Sequence, residues 1–104
     1  RQMCIRDSVE ADLKFQELLR SHSAADAVAK LTPKERYLIY QWHSSLMIRF
    51  DNVAFQYQQG LIPDAYYETT NRGLRRFMPI WRALGIEVPD TSRQLFETIV
   101  DESN

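Results

Sequence analysis

Four polar residues in the middle of the chain, Arg49, Asp51, Asn52 and Gln56, are the ones whose types and spacing offer chemistry. On a helix, Arg49, Asn52 and Gln56 share one polar edge. With the Asp51 carboxylate they make a set that could grip a small polar ligand or support a weak hydrolysis. Catalysis by a lone carboxylate needs a second acid, a metal ligand or a cleft, and the sequence supplies none of these at a diagnostic spacing. Asp51 also has a structural reading. Its helical neighbours are Tyr40, Met47, Ile48 and Phe55, so another helix is expected to cover it, and a covered carboxylate needs a cationic partner. Arg72, Arg75 and Arg76 are the candidate partners.

The other reactive residue types lead nowhere catalytic. Ser44 and Ser45 follow His43, but adjacent helical positions point about 100° apart, so imidazole and hydroxyl do not meet as base and nucleophile. His22 and His43 have no acidic companions at metal-ligand spacing, and there is no glycine-rich phosphate loop. No catalytic, cofactor-binding or metal residue is therefore expected, no cofactor is implied, and His43 reads as a satisfied histidine between helices. Arg72, Arg75, Arg76 and Arg82 concentrate positive charge that could meet nucleic acid or anionic lipid. Arginine is equally at home toward a helix C-terminus, and a formal net charge of -1 gives no global field in favour of nucleic acid.

The element that must position these residues is the stretch from Leu31 to Asp64. Thr32, Pro33 and Glu35 spell a capping box with proline at the first helical position, and Gly60 supplies a left-handed stop, with Leu61 free to fold back on Phe55. A helix over residues 33 to about 59 follows. Ile39, Trp42, Leu46, Phe50, Val53 and Tyr57 recur at spacings of three and four and predict its core stripe. Tyr37, Ile48 and Phe55 carry apolar character around the back, so the helix is expected to be surrounded by others, or to present an apolar strip to a partner or to a second copy.

The rest of the chain provides the surroundings. Val9, Leu13, Leu18 and Leu19, with Phe15 to one side, predict a helix over residues 9–20, and Ser23 caps a short one over 24–30. After Gly60, Pro63 opens a helix whose stripe is Tyr67, Thr70, Leu74, Phe77, Met78 and Trp81, antiparallel to the central one across a short loop. Gly73 marks a close crossing in it. Pro79 predicts a break and a restart over 80–84, Gly85 a stop, and Thr91 with Gln94 a second capping box for a last helix burying Leu95, Phe96, Ile99 and Val100. No alternating run of β-branched residues predicts a strand. The expected fold is all-α: a small bundle of four to five helices around the central one.

With 104 residues, one small domain is the limit, and 44% hydrophobic residues give it a modest core. No run approaches the roughly twenty apolar residues that cross a bilayer, so the chain is expected to be soluble as it stands. Residues 1–8, RQMCIRDS, resemble a translated sequencing-adapter leader of the kind found on reading frames assembled from environmental DNA, which makes residues 9–102 the expected domain. Cys4, the single cysteine, lies in that leader, so no disulfide or thiolate site can be built from the rest.

The blocks Leu31-Thr32-Pro33-Lys34-Glu35-Arg36, Arg49-Phe50-Asp51-Asn52 and Gln56-Tyr57-Gln58-Gln59-Gly60-Leu61-Ile62, with residues 96–101, resemble a group of uncharacterised short bacterial proteins. The group's pattern has Phe-Glu-Asn where this chain has Asp51, and paired tryptophans after Pro-Gly where it has Pro79 and Trp81 alone. The resemblance implies a helical domain on the cytoplasmic side of the bacterial inner membrane, held by a membrane-spanning helix upstream of the present residues. The motifs are structural. The leading expectation is thus a non-enzymatic interaction or scaffold module, ahead of a ligand binder or weak hydrolase using Asp51, Arg49 and Asn52, and of a basic surface for nucleic acid or lipid.

Overall fold

Thr32 starts the longest helix as its sequence dictates. Its hydroxyl accepts from the Glu35 backbone N–H at 3.1 Å, and the Glu35 carboxylate accepts from the Thr32 N–H at 2.8 Å. Two donors that a helix start would leave orphaned are thereby satisfied. In the computed structural model, which describes residues 5–89, this helix is the third of four: α1 (Ile5–Leu19), α2 (Ala24–Ala29), α3 (Pro33–Gln58) and α4 (Asp64–Leu84). Gly60, at φ 76°, ends α3, and its N–H and that of Leu61 return to the carbonyls of Tyr57 and Gln56. Leu61 stays exposed, so the stop is made by hydrogen bonds and not by burying Leu61 on Phe55. Across the turn, the Tyr57 and Tyr67 rings stack at 3.9 Å and the Tyr57 hydroxyl donates to Asp64 at 2.8 Å, which fixes where α4 departs.

The fold is the expected all-α bundle, with α4 against α3 and α2, and α1 against α3 and α2. α1 begins four residues earlier than its periodicity predicts. Asp7 lies in its first turn, where a carboxylate suits the helix dipole, and also pairs with Lys34 at 3.0 Å. Lys14 and Glu35 make a second α1–α3 pair at 2.7 Å. Ser23 caps α2 by accepting from the Asp26 N–H. The second capping box, Thr91 with Gln94, and the apolar residues Leu95, Phe96, Ile99 and Val100 lie outside the described residues, as does Cys4.

The buried face of α3 overlaps the stripe that periodicity selects but is not centred on it. Of the expected stripe Trp42 alone is exposed, at 56%, while Ile39 is buried and Leu46, Phe50, Val53 and Tyr57 are half-buried; Leu38, His43, Met47 and Ala54 are buried beside them. The helix is turned by about half a residue step from the expected orientation. The reason is on α4: the Trp81 indole N–H donates to His43 Nδ1 at 3.0 Å inside the core. A histidine whose Nδ1 has a partner can occupy a core position, and the adjacent Trp42, about 100° round the helix, is displaced outward. α1 departs similarly. Its inward residues are Ala11 and Phe15, whereas Val9 and Leu13 face out.

α4 runs unbroken through Pro79 where a break was expected. The proline ring removes the helical bond to the Arg75 carbonyl, and Pro79 lies on the exposed side of the helix, away from the core. On the other side Leu74, Met78, Ile80 and Trp81 are buried and hold the helix on its course. Gly73 lies where a Cβ would stand 3.4 Å from the Phe50 ring, the close crossing that its sequence position suggests. Replacing Pro79 with alanine restores a helical hydrogen bond without touching the core. Pro79→Ala is expected to raise unfolding stability by about 1–3 kcal/mol in a urea titration, and a neutral or destabilising result would show that the ring itself supports the structure.

Candidate interaction groove

α1 carries two apolar rows, and only one is used by the core. Ala11 and Phe15 turn inward, while Ile5, Val9 and Leu13, each four residues apart, line the outer side at more than half exposure. Opposite them, Leu38 and Ile39 of α3 form a floor and Trp42 a wall. The two helices enclose a half-open groove of about 610 Å³, apolar apart from Ser8, Asp12, Gln41 and Ser45.

Those polar groups are not equivalent. Ser45 donates to the Gln41 carbonyl of its own helix at 3.2 Å and so is already satisfied. Asp12 is half-buried, and among the described residues its carboxylate makes no ion pair. It lies close enough to His43 to favour that ring's protonated form, although burial dominates and holds the His43 pKa below its ordinary value. A partly buried carboxylate in an apolar groove is a place for one cation.

The polar set that offers chemistry in the sequence lies elsewhere, on the C-terminal half of α3. Arg49, Asn52 and Gln56 share an exposed row, and Asp51 is half-buried on a different side of the helix, so the backbone does not bring the carboxylate and Arg49 together. Asp51 and Arg75 each have interaction partners, and Arg72, Arg75 and Arg76 are exposed on α4. None of these residues lines the groove. Among the described residues, no cluster of histidine, cysteine and acidic side chains is placed to hold a metal ion, and no helix is long and apolar enough to cross a membrane.

Trp42, Ile5, Val9 and Leu13 are the site residues that periodicity misassigns or passes over. A signal existed in α1, where two apolar rows compete for one core. Comparison of the chain with protein-family models, with curated proteins and with solved structures returns no match.

Proposed function

We propose that this chain is a non-enzymatic interaction module whose α1–α3 groove receives an amphipathic helix of a partner protein, with a lysine or arginine of that helix opposite Asp12. The groove carries this reading: Val9, Leu13 and Trp42, all outside the leader-like residues 1–8, keep large apolar surface in water around a concave floor. Helix-in-groove recognition buries such surface through residues spaced three and four apart, and exposed tryptophan is a common anchor of binding energy. The single acid sets the partner's charge. The resemblance to bacterial proteins with an upstream membrane-spanning helix supports a setting at the cytoplasmic face of the inner membrane, where such a module would recruit or organise partners.

The test is selection from a displayed library of 16-residue helical peptides against the full chain. Binders are expected to share an apolar face with one basic residue beside it and to shift Trp42 fluorescence to the blue. Trp42→Glu and Leu13→Glu are expected to weaken such a peptide by at least about thirtyfold, with Asp12→Asn weakening it severalfold and the thermal unfolding of all three near that of the parent. Peptides that bind the parent and both glutamate variants equally would overturn the proposal. So would a library that yields no peptide of this pattern.

A further inference from the structure

The groove and the buried imidazole are built from the same stretches of chain. Trp42, a wall of the groove, is followed directly by His43, which faces the core. Asp12, the groove's half-buried carboxylate, lies one turn before Phe15, whose ring meets the imidazole edge-on at 6.3 Å. The Asp12 charge is felt at that ring. The other charges on the helices around it are held elsewhere: Asp26 and Lys30 of α2, the arginines of α4, and Glu10 and Glu17 of α1 are exposed, and Lys14 of α1 is paired with Glu35 of α3.

The closed structure has no place for a second proton on this ring. Nδ1 already accepts from the Trp81 indole at 3.0 Å, and Nε2, which carries the first proton, has no partner. A charged ring is favoured by the Asp12 carboxylate, and α1 is the helix that can bring the two together. The fully buried side chains of α1 are Ala11 and Phe15, with Leu18 and Leu19 half-buried, and its ion pairs with α3 are solvent-exposed, where such pairs contribute little. Shifting one lightly held helix costs less than unfolding the whole domain. Once Asp12 answers an imidazolium it no longer answers a cation in the groove, and with its α1 wall displaced the groove no longer fits a helix.

We infer that the groove is gated by protons: it holds a basic partner helix while His43 is neutral and releases it when His43 is charged. The gate rests on the groove reading above and adds its regulation. Partner and proton exclude one another, and the exclusion is reciprocal, so a bound helix must make His43 harder to protonate.

Two measurements on the full chain test the gate. The first needs no partner and follows amide exchange of α1 against that of α4, corrected for intrinsic rates. Protection of α1 is expected to fall at least about fivefold relative to α4 from pH 7.5 to pH 5.0 in the parent, and to stay level in the double variant His43→Phe with Trp81→Phe, which lacks the titrating ring and keeps the core apolar. The second uses as probe a basic 16-residue helical peptide, selected at pH 7.5 and free of histidine and acidic residues. Its dissociation constant is expected to rise at least about threefold over the same range, and by no more than about tenfold per pH unit because one proton is exchanged. In imidazole NMR spectra of the parent, the His43 titration is expected to move to lower pH when this peptide saturates the groove, while that of His22 stays in place. Protection of α1 that is independent of pH would overturn the gate. So would a peptide whose affinity ignores pH and whose binding leaves the His43 titration unmoved, although the groove reading would then stand. A library that yields no such peptide would overturn the groove reading and the gate with it.

Discussion

Trp81→Ala is expected to cost about 3–5 kcal/mol, enough to leave much of the chain unfolded under mild conditions, since a domain of this size holds only about 5–15 kcal/mol in all. Trp81 is the largest fully buried side chain, and its ring packs against Phe50 at 5.7 Å and Phe77 at 6.1 Å. Truncation opens a cavity among α2, α3 and α4 and also removes the donor to His43 Nδ1, leaving both ring nitrogens unpartnered. Trp81→Phe separates the two effects. It keeps most of the apolar volume and deletes the N–H, so its cost should be about 1–3 kcal/mol. Adding His43→Phe to Trp81→Phe should recover part of that loss, because no polar atom is then left unpaired. The check is a double-mutant cycle of urea unfolding. Additive costs for the two substitutions would mean that the 3.0 Å contact contributes nothing specific.

This pair also explains which parts of the architecture could be read from residues alone. Helix ends depend on local chemistry, and Thr32, Glu35, Ser23, Gly60 and Gly85 act within a turn of themselves, so the caps and stops fall where their types require. The rotation of α3 depends on a partner 38 residues away. Periodicity ranks Trp42 above His43 because it scores side chains by hydropathy, and only the indole on α4 makes the histidine the better core residue. Pro79 is a similar case. Its local effect is to break a helix, and four buried side chains around it overrule that effect.

The groove was less legible still. Val9 and Leu13 form as good an apolar row as Ala11 and Phe15, and nothing local in α1 decides between them. The choice follows from Phe15, which reaches the His43 ring edge-on at 6.3 Å and is wholly buried there. Once Phe15 is seated, Val9 and Leu13 must face the other way, and with Trp42 turned out by His43 the two displaced sets meet as groove walls. One buried imidazole thus sets the orientation of both helices that bound the candidate site. The polar set around Asp51 remained visible in sequence because polar residues attract notice, yet the helix distributes Arg49 and Asp51 to different sides.

The same imidazole should make the fold sensitive to mild acid. His43 is 1% exposed, and burial lowers its pKa, with the Asp12 charge opposing that shift in part. Because the indole N–H donates to Nδ1, the neutral ring carries its proton on Nε2, which has no partner. A second proton would have to enter at Nδ1, against the indole donor. Above the unfolded value of 6.5 the ring is neutral in both states and adds no pH dependence. As pH falls below 6.5, the unfolded chain takes up a proton that the native state refuses, and stability drops by up to about 1.4 kcal/mol per pH unit, levelling only when pH reaches the lowered native pKa. Glu35 acts in a separate window. Its pKa is depressed below 4.5, first by the hydrogen bond from Lys14, so its contribution is present above that value and lost only as pH falls through the lowered one. Between pH 7 and pH 5 the histidine therefore governs the difference. Urea midpoints measured across that range should fall for the parent chain as pH drops below 6.5 and stay nearly level for His43→Phe. Parallel curves for the two proteins would show that the buried ring accepts its second proton without resistance.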